Sequence, residues 1–189
     1  MIIPRSENIA MARREKMKNH QSFRTGVVAA LFGALIFVVT AYILHIPTPA
    51  TGGYIHLGDA FVYLAASILP LPYAIAAAGI GEALSDALTG SIAYALPTFL
   101  IKAAMAMCFS SAGKTILSRR NGIACAAAGI ICVAGYYVTE VILYRNFTSP
   151  LVEIPANAVQ AAASAVVYLL LGKSLDRLHL KRSVASFTM

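Results

Sequence analysis

Asp59, Glu82, Asp86, Lys102, Glu140, Glu153, Asn157 and Gln160 all interrupt stretches that are otherwise apolar. A charge set in hydrocarbon costs about 2.5–3.5 kcal/mol on insertion scales, so leaving Glu82, Asp86, Lys102 and Glu140 against lipid would cost on the order of 10 kcal/mol. These groups are therefore expected to face inward, with Lys102 paired to one or more of the carboxylates. Two arrangements satisfy that demand: an ion pair that fixes helix register, or a polar cavity that receives a solute. The polar positions come from at least four separate segments, more than one buried pair requires, which favours the cavity. Carboxylates, one amine and side-chain amides suit a small polar heterocycle better than a long apolar ligand. A rival arrangement has Asp59, Glu82 and Asp86 holding a metal in an intramembrane enzyme. Against it, the chain has no His-x-x-x-His, no Asp-x-x-Asp and no dense carboxylate motif, so no metal is expected.

Spacing sorts further residues onto the same faces. Tyr136, Glu140 and Tyr144 recur every four positions, and Asn157, Gln160, Ser164 and Tyr168 every three or four, so each set forms one helix stripe. An aromatic-belt role fits Tyr144 equally well. Ahead of Asp59, the loop 47–58 carries Tyr54 and His56 beside a Gly52-Gly53 joint. That joint would let Tyr54 close over a flat ring, while His56 can donate or accept a hydrogen bond at neutral pH. His45 reads as a helix-end residue, and His20 and His179 lie in basic tails. Cys108, Cys125 and Cys132 sit inside apolar runs and read as small core residues, not a disulfide framework.

The elements that must position these groups follow from composition. The chain has 189 residues, of which 59% are hydrophobic and 12% charged. Its mean hydropathy is +0.73. A soluble domain carries about 25% charge, so a soluble enzyme or a disordered chain is excluded as the natural class. Turn and breaker residues divide the sequence into six helices at about 25–46, 59–69, 73–89, 97–117, 123–145 and 151–173. The second, at about 16 Å, is too short to cross a bilayer alone. The first apolar run exceeds the length of about 7–15 residues of a signal-peptide core and is expected to remain as a span. Met11 and Met17 are alternative start positions.

Charge then orients the helices. Six basic residues precede the first apolar run, Lys114, Arg119 and Arg120 flank the turn between the fourth and fifth helices, and Lys173, Arg177, Lys181 and Arg182 follow the sixth. Only Lys102 and Arg145 of the 15 fall elsewhere. By the positive-inside tendency that side is cytoplasmic, and both termini lie there. The expected fold is all-α: a multi-pass protein of the cell membrane, with basic tails at 1–24 and 176–189 around a six-helix membrane domain at 25–175. The excess of positive charge then belongs to topology and not to nucleic-acid binding. With this orientation, every ionisable group inside the spans falls in the outer half. Small residues at Ala29-x-x-x-Gly33 and around Ala30 and Ala34 offer a flat strip for helix packing.

Four segments, in order, resemble the substrate-binding S component of an energy-coupling-factor (ECF) vitamin transporter. They are Gly53-Tyr54-Ile55-His56-Leu57-Gly58-Asp59, the run Gly81–Gly90, Tyr94–Lys102, and Glu153–Gln160. The resemblance covers about residues 25–175 and implies six helices with a ligand held on the outer side beneath the first loop. It implies a binding subunit and not an enzyme, with Tyr54, His56, Asp59, Glu82, Asp86, Lys102, Tyr136, Glu140, Tyr144, Asn157 and Gln160 as candidate ligand contacts. It further implies that Ala30 and Ala34 dock on a membrane scaffold subunit, and that two cytoplasmic ATPases complete the complex. The chain has no Gly-x-x-x-x-Gly-Lys-Ser/Thr, so ATP would be used by partners and no cofactor is expected in this chain. Members take vitamins or precursors such as thiamine, riboflavin, biotin or folate, and the pattern here is most similar to the group assigned to pyridoxine or hydroxymethylpyrimidine. A stand-alone secondary carrier or channel remains a competing function, although no internal repeat of the kind common in such carriers is evident.

Overall fold

The computed structural model describes residues 5–43, 46–48 and 53–188. His45 and the first-loop segment 49–52, including Gly52, lie outside the described residues. The chain is all-α apart from one small hairpin. Helix α1 spans Arg5–Tyr42, starting some twenty residues before the expected boundary. The physical reason is compositional: residues 5–22 contain no Gly or Pro and are rich in Ala, Met, Arg, Lys and Glu, so nothing breaks the helix upstream of the apolar run. Strands β1 (Ile46–Thr48) and β2 (Gly53–Ile55) pair antiparallel, with Pro47 opposite Tyr54. A two-stranded ribbon has two edges, so Pro47 withholds no ladder donor that a third strand would need.

Helices α2 (Gly58–Ile68) and α3 (Leu71–Leu88) follow, separated at Pro70. A short 3₁₀ turn at Ile92–Tyr94 leads into α4 (Ala95–Met107). Helix α5 (Arg119–Tyr144) begins at Ser118, whose hydroxyl accepts from the Asn121 amide, and ends at Arg145 in the left-handed region. A second 3₁₀ turn, Ser149–Val152, precedes α6 (Glu153–Arg177), and α7 (Leu180–Thr188) closes the chain. Among the described residues, three helical stretches are long and apolar enough to cross a membrane: Arg13–Tyr42, Arg119–Tyr144 and Ser149–Arg177.

Helix α2 is short because it is the central element. Ten of its residues, from Gly58 to Ile68, are buried, with only Phe61 partly so. The other helices surround it and turn Leu31, Leu35, Leu84, Leu100, Ile130 and Leu170 outward. An apolar exterior of this kind matches a hydrocarbon solvent. Small residues allow the close approach. A Cβ on Gly81 of α3 would stand 2.7 Å from the Gly33 carbonyl oxygen of α1. Ala29 and Gly33 are thus used inside the bundle, while Ala30 and Ala34 remain exposed.

Helix α4 ends ten residues earlier than expected. The segment 108–118 contains Ser110, Ser111 and Gly113, whose side chains or backbone freedom compete with helix. It is pinned at the end of the bundle opposite the hairpin. Asn121, 1% exposed, accepts from the Ser110 amide at 3.0 Å and donates to the Ser110 and Ile116 carbonyls, each at 3.0 Å. The Asp176 carboxylate accepts from the Ile116 and Leu117 amides at 2.6 and 2.9 Å, and the Lys181 ammonium donates to the Thr115 carbonyl at 3.0 Å. Beneath the loop Tyr63 stacks on Phe109 at 4.8 Å, with Tyr168 edge-on to both. Helix α7, absent from the expected elements, packs Leu180 and Val184 on the core and places Phe187 under the Arg24 guanidinium at 5.5 Å.

Removing the Asn121 side chain would leave several buried groups of this loop unpaired. Asn121→Ala is expected to destabilise the protein by about 2–3 kcal/mol, read as a lowered thermal unfolding midpoint in detergent.

Candidate functional site

At the hairpin end, the sequence DAFVYLAASI buries Asp59 in the first turn of α2, with no water to solvate it. Lys102, in the second turn of α4, meets it directly; both side chains are fully buried. The second Asp59 oxygen accepts from the Gln160 amide of α6 at 2.9 Å, and the Cys132 sulfur of α5 stands at 3.9 Å. The Lys102 ammonium also lies 5.3 Å from the Tyr136 ring centre, in cation–π range. Tyr136 in turn shares a 3.1 Å hydrogen bond with Thr98. One ion pair therefore draws together α2, α4, α5 and α6.

Glu82 of α3 and His56 of the first loop complete this layer, with His56 Nε2 3.6 Å from a Glu82 oxygen. His56 is tied on both sides. Its backbone N–H donates to Gln160 Oε1 at 3.1 Å, and its Nδ1 accepts from the Gly58 N–H at 3.0 Å. A backbone N–H can only donate, so Nδ1 accepts, while Nε2 lies 3.6 Å from Glu82 and 3.3 Å from the Gln160 side-chain nitrogen. Gly58 is required here: an added Cβ would collide with Thr40 Oγ1 and stand 2.7 Å from Glu82 Oε1 and 2.9 Å from His56 Nδ1.

His56, Asp59 and Glu82 offer ligand atoms within 4.8 Å of one another, the spacing of a metal site. The donor chemistry argues against that use. The Lys102 ammonium already neutralises Asp59, and the Gln160 side-chain nitrogen stands against both Asp59 and His56 Nε2. The acidic triad expected for a metal-dependent enzyme was Asp59, Glu82 and Asp86. The structure groups His56, not Asp86, with the first two.

Above this layer lies a small cavity enclosing about 30 Å³, room for a water molecule or two. Seven of the residues singled out from sequence line it: Tyr54, His56, Asp86, Tyr136, Glu140, Asn157 and Gln160. Three do not. Asp59, Glu82 and Lys102 are sealed beneath as its floor, because a Lys–Asp pair without water is satisfied only by direct contact. Tyr144 stands behind the wall, its hydroxyl 2.8 Å from that of Tyr94. The lining also includes Ile55, Ser91, Tyr94 and Glu153, which were not among the candidate contacts. Glu153 carried the available signal, an acid in the first turn of the stripe that holds Asn157 and Gln160. Ser91 follows Gly90, whose φ of 98° folds the chain back over the cavity, and a turn of that kind has no periodicity to read.

Tyr54 of the hairpin closes the cavity. Its hydroxyl donates to Asp86 at 2.7 Å and stands 3.1 Å from Ser85 Oγ. Burial and the adjacent Asp86 carboxylate push the phenol well above its ordinary pKa, so it stays a donor across the physiological range. The Tyr54 and His56 rings are 5.5 Å apart, which links the lid to the buried layer.

Lys102→Met would strand Asp59 as an uncompensated buried charge, at a cost on the order of 3–5 kcal/mol. Adding Asp59→Leu to that variant is expected to recover most of the loss, measured by thermal unfolding of the single and double variants.

Comparison with known proteins places this geometry. The family model described as the ECF-type riboflavin transporter S component matches residues 20–177. An uncharacterised protein of the gap 3′ region of Pyrococcus woesei is 30% identical over 131 residues, covering 68% of this chain and 86% of that protein. The match runs from within α1 to the end of α6 and includes every cavity-lining residue. The chain belongs to the S-component family of ECF-type transporters, the membrane subunits that bind substrate for vitamin uptake.

Proposed function

We propose that this protein captures a small water-soluble vitamin or heterocyclic precursor from the outer side of the cell membrane and delivers it to an ECF module. The observation that carries the reading is the cavity under Tyr54, where polar side chains from five elements converge in an otherwise apolar bundle. The enclosed space is small, so a solute enters only if the hairpin lifts Tyr54 from Asp86. The family model is named for riboflavin. The dense polar lining suits a small polar heterocycle of the pyridoxine or hydroxymethylpyrimidine kind.

In this reading six helices, α1 to α6, form the membrane domain at about residues 25–175. The basic ends face the cytoplasm, as the positive-inside tendency requires. Ala30 and Ala34 dock on the scaffold subunit. Their exposure beside an apolar groove lined by Gly26, Tyr73, Ala77 and Ile80 supports that use, since small residues admit a partner helix at close range. Two ATPases supply the energy. The alternative of a self-contained carrier predicts uptake by this chain alone in liposomes.

A thermal-shift screen of purified protein with riboflavin, pyridoxine and hydroxymethylpyrimidine tests the binding role, because a ligand raises the melting temperature by mass action. Asn157→Ala and Tyr136→Ala are each expected to weaken the best ligand by about tenfold or more; parent-like binding by both would overturn the site. Ala30→Leu is expected to bind ligand as the parent does, while uptake with the complete module falls by about tenfold.

A further inference from the structure

The charge of the cavity wall narrows the ligand further, on the reading that the cavity is the solute site. Asp86, Glu140 and Glu153 all line it, and among the described residues no Lys or Arg does. The amine expected there, Lys102, is taken up by Asp59 in the layer below. His56 is held as a neutral ring by the Gly58 N–H on its Nδ1. Glu140 is 3% exposed, yet its Oε2 has no hydrogen-bond partner among the described residues, and Glu153 lines the same cavity. A buried carboxylate oxygen without donor or counter-charge is costly unless something entering the site supplies one. Around these acids stand the rings of Tyr54, Tyr94 and Tyr136, whose π faces attract cations.

We infer that the cavity selects a solute bearing a positive charge, a heterocycle with a protonated amine or a cationic ring nitrogen, set between Glu140 and Glu153 and against the tyrosine rings. A neutral ring of the same shape can hydrogen-bond Glu140 but brings it no counter-charge. An anionic one meets three like charges and is rejected. The wall thus discriminates by charge.

Three pyridines of identical substitution, carrying an aminomethyl, a hydroxymethyl or a carboxylate group, separate charge from shape. Their affinities for the purified full-length protein near neutral pH are measured by titration calorimetry. The aminomethyl compound is expected to bind at least about tenfold more tightly than the hydroxymethyl one, with the carboxylate weakest. Glu140→Gln, checked for parent-like thermal unfolding, is expected to remove most of that preference; Glu153→Gln serves if it does not fold. The inference is overturned if the neutral or anionic compound binds as tightly as the cation, or if the preference survives both substitutions. Failure of all three pyridines with retained riboflavin binding sinks the charge selection and leaves the binding role standing. Failure of every compound, riboflavin included, sinks the binding role itself.

Discussion

The ion pair between Asp59 and Lys102 is the constraint on which the rest of the hairpin end depends. Two opposite charges in a water-free bundle are tolerable only in direct contact and with their remaining hydrogen-bonding capacity met. Gln160 and the face of Tyr136 meet it, so α4, α5 and α6 are brought to the first turn of the buried α2. Such a pair adds little net stability compared with a well-packed apolar core. Its consequence is geometric, because helices of alanine and leucine could otherwise slide past one another at small cost. Once the pair is made, the depth of every neighbouring polar group is set.

That depth builds the cavity. Gln160 serves both layers: its amide nitrogen bonds Asp59 below, and its oxygen accepts the backbone N–H of His56 in the first loop. The loop is therefore anchored on the ion pair, and Tyr54, two residues earlier, is carried over Asp86. Hydrogen bonds run from His56, two residues along the chain from Tyr54, through Gln160 to Asp59 and Lys102, so the lid adjoins the same network that holds the helices together. The opposite end is fastened separately, by Asn121 and Asp176 gripping the loop 108–118. Both ends of the bundle are thus tied by side chains that join elements distant in sequence.

Much of this was legible in the chain. Charges among apolar runs must turn inward, and four-residue spacing puts Tyr136 and Glu140 on one wall, as the structure has it. The helix boundaries at Pro70 and Gly90 were marked by residues that do not continue a helix, whereas α5 starts at Arg119, four residues before the expected 123, because Ser118 caps it. The misses have a common origin. Helix α1 runs on into the basic segment because propensity, not hydropathy, decides where a helix starts. Helix α4 stops early because the loop after it is held by α5 and α6, which are distant in sequence. Helix α7 was overlooked since nine residues with an apolar stripe become stable only against Arg24 and the core.

Sequence alone determined the class, the inward burial of Glu82, Asp86, Lys102 and Glu140, and the family. These follow from local composition and from the price of a charge in hydrocarbon, neither of which needs a third dimension. Only the tertiary structure decided which carboxylate takes the lysine. Asp59, Glu82, Asp86 and Glu140 were equivalent candidates on paper, and a pairing between helices depends on their relative rotation and depth. By giving Lys102 to Asp59, packing withdrew the single amine from the cavity and left its wall acidic.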